Sequence, residues 1–90
     1  MEKRAVVSVV GKDQVGIIAN VTEILSKNNI NILDISQTIL QDFFTMMMIV
    51  DVSGNEDLEK LEKQFDDVRK EMSLQIHIQL EDIFKTMHRV

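Results

Sequence analysis

The chain has 90 residues, of which 44% are hydrophobic and 28% are charged, and its formal net charge is −5 at pH 7. This size and composition predict one globular domain and exclude a disordered chain. The absence of cysteine excludes disulfides, thiolate catalysis and the common zinc sites, and the negative charge disfavours direct binding to nucleic acid or anionic lipid.

The first third of the chain predicts a strand, a turn and a helix. Arg4 to Val10 is rich in β-branched residues and apolar on both sides, which is typical of a central strand. From Gln14 onwards the apolar residues recur at helical spacing, with Asp13 as the expected N-cap and Asn28 and Asn29 as the expected C-terminal stop. The apolar stripe of this helix consists of Ile17, Ile18, Val21, Ile24 and Leu25.

The middle of the chain predicts two strands joined by a tight hairpin. Asn31 to Leu40 alternates between an apolar and a polar side, and Gln41 and Asp42 suit a hairpin turn although the favoured glycine is absent. Phe43 to Val52 then has apolar residues on both faces. In the first of these strands, Leu33, Ile35 and Ile39 oppose Asp34, Ser36 and Thr38; in the second, Phe44, Met46, Met48 and Val50 oppose Phe43, Met47 and Ile49.

The last third predicts a helix, a strand and a short C-terminal helix. Ser53 and Glu56 have the spacing of a capping box. The residues from Leu74 to Leu80 alternate as in a half-buried strand. The apolar stripes of the two helices consist of Leu58, Leu61, Phe65, Val68 and Met72 in the first, and of Ile83, Phe84 and Met87 in the second, which spans residues 81–90.

The resulting order, β-α-β-β-α-β, predicts an α+β fold, the ferredoxin-like plait, over about residues 3–80 of a single domain spanning 1–90. This fold has a four-stranded antiparallel sheet with both main helices on one face. The other face is left open, yet the third strand presents Phe43, Met47 and Ile49 there. Either the C-terminal helix covers these side chains or a second copy does, and we favour a homodimer.

The segment Gly11 to Ile17 lies between the first strand and the first helix and is the best candidate for a functional site. Backbone N–H groups and the helix dipole at such a turn suit a small anion such as a carboxylate. The spacing of the two glycines matches a phosphate loop, but Ile17 and Ile18 stand where lysine and a hydroxyl residue are required. Nucleotide hydrolysis is therefore excluded. The alternative to a binding site is that Gly11 makes a turn and Gly16 lets the helix pack closely.

Nothing else in the chain indicates a reaction centre. His77 lies on the polar side of the last strand with no second metal ligand at strand or helix spacing. No Ser/His/Asp set or spaced carboxylate pair suggests catalysis. We therefore expect no catalytic residue, no metal and no cofactor. The N-terminus has no apolar run of the length of a secretory or transmembrane segment, which predicts a cytoplasmic protein without membrane contact.

The residues Val9 to Ala19, followed by Asn31-Ile32 and Gln37, resemble the ACT domain family. That family pairs a turn rich in glycine and acid with an Asn-Ile strand on the same plait. The segments Asp34 to Thr38 and Phe44 to Met46 are most similar to small stand-alone ACT proteins and to the ACT modules of glycine-cleavage repressors.

The resemblance implies a non-catalytic regulatory module. ACT domains bind small effectors, most often amino acids, at an interface between two copies. The effector loop would comprise Asp13, Gln14, Val15, Gly16 and Ile17, faced by Asn31 and Ile32. The output would then pass to a protein partner. The alternatives are an interaction domain without a ligand site and, more weakly, an acylphosphatase-like enzyme, for which the first loop lacks a phosphate-binding arginine.

Overall fold

The computed structural model describes residues 3–54 and 58–81. Within them the chain forms a single four-stranded antiparallel sheet in the order β2-β3-β1-β4, so β1 is central as predicted. Two helices pack on one face of this sheet, which confirms the ferredoxin-like plait. The elements are β1 (Arg4–Lys12), α1 (Ile17–Lys27), β2 (Asn31–Leu40), β3 (Phe43–Asp51), α2 (Leu58–Met72) and β4 (Gln75–Leu80).

The hydrophobic core lies between the sheet and the helices because the strands alternate with period 2 and the helices with period 3.6. The predicted faces of β3 are confirmed: Phe44 is 3% exposed, whereas Phe43 on the opposite face is 64% exposed. The predicted helix stripes also face the core, except that Ile18 of α1 is 38% exposed. The buried residues of the hydrophobic core include Ala5, Val7 and Val9 of β1, Met46, Met48 and Val50 of β3, Val21 and Leu25 of α1, and Leu61 and Phe65 of α2.

Strand β2 forms one edge of the sheet, and its apolar side is only partly covered. Ile35 and Ile39 pair with Met48 and Phe44, so they lie on the helix side as the alternation predicts. Nevertheless 44% of Ile35 and 54% of Ile39 remain exposed. The register shifts between Ile32 and Asp34, so a bulge at Leu33 interrupts the alternation predicted there.

The start of α1 differs from the prediction that Asp13 is its N-cap. The N-cap is Gly16, which has a φ of 96° and makes no side-chain capping bond. A glycine adopts this left-handed conformation without steric cost, so the chain turns into the helix three residues after Asp13. The backbone N–H of Asp13 instead donates to the carbonyl oxygen of Asp42 at 2.7 Å.

The end of α1 follows the prediction. Asn28 is the C-cap and Asn29 has a φ of 57°, the conformation that commonly terminates helices. The N–H of Ile30 then donates to the carbonyl of Leu25 at 3.0 Å, which satisfies one of the last carbonyls of the helix.

If the segment had only a structural role, Gly11 was expected to make the turn and Gly16 to permit close packing. The structure shows the reverse. Gly11 lies within β1, paired with Phe44, and does not make the turn. A Cβ built on Gly11 would lie 2.5 Å from Cδ2 of the buried Leu74, so Gly11 permits close packing there. Gly16 is the residue that makes the turn.

We predict that Gly11→Ala lowers the free energy of unfolding by about 1–3 kcal/mol, the usual cost of overpacking a core. Urea unfolding measures this loss. In the background of Leu74→Ala, which removes the clashing atom, the same substitution should cost less than half as much. Equal costs in both backgrounds would show that the Leu74 contact is not the cause.

Some predicted features fall outside the described residues, namely Glu56 of the capping box and the C-terminal helix beyond Glu81. The hydroxyl of Ser53, the other member of that box, donates to Oδ1 of Asp51 at 2.6 Å and accepts from the N–H of Lys3 at 3.0 Å. The side-chain and backbone hydrogen bonds from Ser53 to Asp51 hold the pKa of the Asp51 carboxyl below its usual value. Within residues 3–54 and 58–81, no helix is both long and apolar enough to cross a membrane.

Candidate functional site

The β1–α1 loop, residues 13–16, is fixed to three neighbouring parts of the fold. Besides the bond from Asp13 to the β2–β3 hairpin, the side-chain amide of Gln14 donates to the carbonyl of Met72 at 2.9 Å and to that of Lys12 at 3.1 Å. The amide of Asn20 donates to the Gly16 carbonyl at 2.8 Å and contacts the Met72 sulfur at 3.6 Å. The loop therefore has a defined shape before any ligand binds.

A cavity of about 270 Å³ lies between this loop, the start of α1 and the end of β2. Its polar groups are the side chains of Asp13, Gln14 and Gln37, and its apolar wall includes exposed parts of Ile18 and Ile39. Four of the seven predicted site residues contribute to it. The lining consists of Asp13, Gln14, Gly16, Ile17, Ile18, Ala19, Gln37, Ile39 and Phe44.

The electrostatics of this cavity combine the positive end of the α1 dipole with the carboxylate of Asp13. The first hydrogen bond along α1 runs from the N–H of Asn20 to the carbonyl of Gly16, so the preceding N–H groups lie at the open end of the helix. The helix dipole adds partial positive charge at the same point. Because the lining contains no lysine, arginine or histidine, these backbone groups are its main source of positive potential.

The remaining predicted site residues are not brought together in this cavity. Val15 is fully exposed at the tip of the loop. Asn31 and Ile32 line a second, wider concavity of about 720 Å³ at the other end of α1, together with Thr22 and Ser26. Within one copy of the chain, Asn31 and Ile32 therefore do not line the cavity at the loop. Ala19 lines both cavities, which lie toward opposite ends of α1.

Several cavity residues were not among the predicted site residues. Gln37 had a signal in the sequence, since it is a polar residue on the side of β2 that carries Ile35 and Ile39. Its register partner is the buried Met46, which confirms that side. Ile18, Ala19, Ile39 and Phe44 had no such signal, because an apolar residue that lines a cavity has the same periodicity as one in the core.

The two edges of the sheet are unlike. At the β4 edge the guanidinium of Arg69 donates to the carbonyl of Ile76 from Nη2 at 2.7 Å and from Nε at 3.0 Å, and it is held by Glu62 and Asp66. The β2 edge is longer, mostly exposed, and has Asp34 as its one charged residue. Natural proteins usually protect an edge of this kind with charges, proline or a covering element.

Metal-ligating side chains do not cluster in the part of the chain that the structure describes. That part of the chain has no group of three or more His, Asp or Glu side chains placed to hold a metal ion. His77 pairs with Ser8 on the face of the sheet opposite the helices, next to Gln75 and Gln79.

Comparisons with known proteins agree with this fold. The family model described as the ACT domain matches residues 3–79. A UPF0237 protein of Methanocaldococcus jannaschii is 48% identical over 88 residues, which cover 97% of this chain and 98% of that protein.

Solved structures give the same assignment. An ACT domain protein from Streptococcus pneumoniae superposes with a TM-score of 0.80 at 36% identity, covering 94% of this chain and 97% of that one. A putative glycine cleavage system transcriptional repressor shares the fold, with a TM-score of 0.76 at 20% identity over 89% of this chain and 46% of its own. The chain belongs to the ACT domain family of regulatory, small-molecule-binding modules.

Proposed function

We propose that this protein is a non-catalytic regulatory module that binds an amino acid or a similar small effector between two copies of the chain. The observation that supports it most is the preformed cavity at the start of α1, where backbone N–H groups, Asp13 and Gln37 surround a space with apolar walls. Effector binding would favour one dimer geometry over another, and that preference would be passed to a protein partner through linkage.

The cavity divides into regions that match the parts of an amino acid. The open N–H groups of the first turn of α1 suit the α-carboxylate, and the carboxylate of Asp13 and the carbonyl oxygen of Gln37 suit the ammonium group. Ile18 and Ile39 would then contact the side chain of the effector. The cavity is open to solvent, so one copy provides only part of an enclosed site.

The position of Asn31 supports a site shared between two copies. Asn31 and Ile39 lie near opposite ends of β2, so Asn31 does not reach the loop of its own copy. If two β2 strands pair antiparallel about a two-fold axis near Ile35, the start of β2 in one copy, with Asn31 and Ile32, comes next to the end of β2 in the other, near Ile39. Each loop would then receive Asn31 and Ile32 from the second copy, which restores the predicted residue set.

The backbone of β2 favours this edge for pairing. Leu40 and Phe43 close the two-residue hairpin, and such closing pairs are hydrogen-bonded to each other. Because antiparallel strands alternate, the backbone groups of Ile35, Gln37 and Ile39 point to the free edge. At this edge the N–H of Ile35 donates to Oδ1 of Asp34 at 2.8 Å. Arg69 occupies the corresponding position on β4 at Ile76, so the β2 edge is the more accessible of the two.

A thermal-shift screen against the twenty amino acids tests the proposal. At a hundred times its Kd, an effector would stabilise the fold by about 2.7 kcal/mol. For a domain of this size we expect a rise in Tm of roughly 10 °C or more.

The interaction domain without a ligand remains the competing function, because the amides of Gln14 and Asn20 already hold the loop in shape without an effector. If no amino acid shifts the Tm of a protein that is dimeric in solution, the effector proposal fails and this second function is favoured.

A further inference from the structure

The concavity toward the end of α1 has a more polar wall than the cavity at the loop. Its volume of about 720 Å³ is that of a small-molecule pocket. On its α1 side, Thr22 and Ser26 lie one helical turn apart and present two hydroxyl groups. Among the described residues that line it, the polar and charged ones are Thr22, Glu23, Ser26, Asn29 and Asn31.

The chemistry of this wall favours a hydrogen-bond donor on the ligand. The hydroxyl of Thr22 donates to the carbonyl of Ile18 at 2.7 Å, so its oxygen is left to accept a further bond. The carboxylate of Glu23, which lies 3.0 Å from the ammonium group of Lys27, also only accepts. The concavity lies toward the C-terminal end of α1, where the helix dipole adds negative potential. A neutral or positively charged donor is therefore favoured there, and a carboxylate is disfavoured.

In the dimer of the proposed function, this concavity comes next to the loop cavity of the other copy. A two-fold axis perpendicular to the sheet near Ile35 keeps the helices of both copies on the same face. The concavity lies at the start of β2, with Asn31, and the loop cavity lies at its end, with Ile39. An effector whose α-carboxylate binds at the start of α1 in one copy therefore faces the end of α1 in the other.

We propose that the effector is an amino acid whose side chain ends in an amide, ammonium or guanidinium group, and that Thr22 and Ser26 of the second copy accept hydrogen bonds from this group. The inference rests on the proposed function and names the class of effector that the shared site takes. The methylene groups of the side chain contact Ile18 and Ile39. An acidic side chain is repelled by Glu23 and by the negative end of α1, and an aliphatic one leaves the hydroxyl oxygens without a donor.

The screen against the twenty amino acids also tests this class. We expect the largest rise in Tm from asparagine, glutamine, lysine or arginine. Aspartate and glutamate have the shapes of asparagine and glutamine with a carboxylate in place of the amide, and methionine is an apolar side chain of similar length to glutamine. Calorimetric titration should give each of these three a Kd at least about ten-fold higher than that of the best amino acid.

The substitution Thr22→Val tests whether the end of α1 forms this part of the site. Valine keeps the branched shape and removes the hydroxyl, so the Kd of the best amino acid should rise by about three- to ten-fold. Ser26→Ala should have an effect of similar size. The matched control is Thr45→Val, the same change at an exposed position of β3, which should leave the Kd unchanged. Circular dichroism verifies that the three variants are folded.

The outcomes separate this inference from the proposed function. If the largest rise in Tm comes from any other side chain, the inference is overturned and the proposed function stands. The same holds if Thr22→Val and Ser26→Ala bind the best amino acid as tightly as Thr45→Val does. If no amino acid raises the Tm, the proposed function fails and the inference fails with it.

Discussion

Replacement of Ile35 by lysine is expected to convert the protein from a dimer into a monomer. In the proposed assembly the two Ile35 side chains lie near the two-fold axis, where each is 44% exposed in one copy and would be buried in the dimer. Losing this apolar contact and bringing two ammonium groups together should cost at least about 3 kcal/mol, or roughly 100-fold in the dimer Kd. Sedimentation equilibrium should give the mass of one copy, 10.4 kDa, instead of twice that value.

The matched control is Gln75→Lys on β4. This substitution adds the same charge to an exposed position on the other edge strand and should leave the dimer intact. Circular dichroism would verify that both variants remain folded, as expected for positions outside the buried core. A dimer that survives Ile35→Lys with unchanged affinity would show that the interface lies elsewhere than on the β2 edge.

Substitution of Gly16 by aspartate is expected to abolish effector binding, whereas asparagine at the same position should largely preserve it. Both side chains have the same shape and must adopt the φ of 96° at Gly16, which costs about 1–2 kcal/mol for a residue with a Cβ. They differ only in charge. The aspartate carboxylate would lie beside the N–H groups at the start of α1 and would repel and displace the carboxylate of the effector.

We expect a loss of affinity of more than about 100-fold for Gly16→Asp and of less than about 10-fold for Gly16→Asn. Calorimetric titration with the amino acid that gives the largest thermal shift measures both. Urea unfolding of the two free variants checks that their stabilities are similar. Equal affinities would mean that the carboxylate of the effector does not bind at the start of α1.

Periodicity accounts for the parts of this fold that were predicted from sequence. Burial alternates between Phe43 and Phe44 and along the three methionines 46–48, which shows the face of β3 that packs against the helices. In α1 and α2 the buried residues recur at helical spacing. Burial imposes these patterns on the sequence directly. The order of the elements then restricts the topology, because connections are short and parallel crossovers are right-handed.

Periodicity could not predict the start of α1 or the arrangement of the site. Residue preference made Asp13 a good cap, but the left-handed conformation of Gly16 depends on how the loop is held by Asp42 and Met72, which are distant in sequence. Similarly, the separation of Asn31 from the loop follows from the length and direction of β2. A set of residues matched to a family motif carries no information about which copy each residue comes from.

Mixing two variants shows whether one site takes residues from two copies of the chain. The variants Gly16→Asp and Asn31→Ala are each expected to bind little or no effector. A heterodimer of the two contains one site with an intact loop from one copy and an intact Asn31 from the other, while its second site has both defects. Random mixing in equal amounts should therefore restore about one quarter of the wild-type sites.

This mixture is titrated with the same amino acid, after denaturation and refolding together so that the copies exchange. Recovery of about a quarter of the sites at nearly wild-type affinity is the result that the shared site predicts. The contradicting result is a mixture that binds no effector, although mass spectrometry shows that heterodimers have formed. In that case each site is built from a single copy, and the shared site is ruled out.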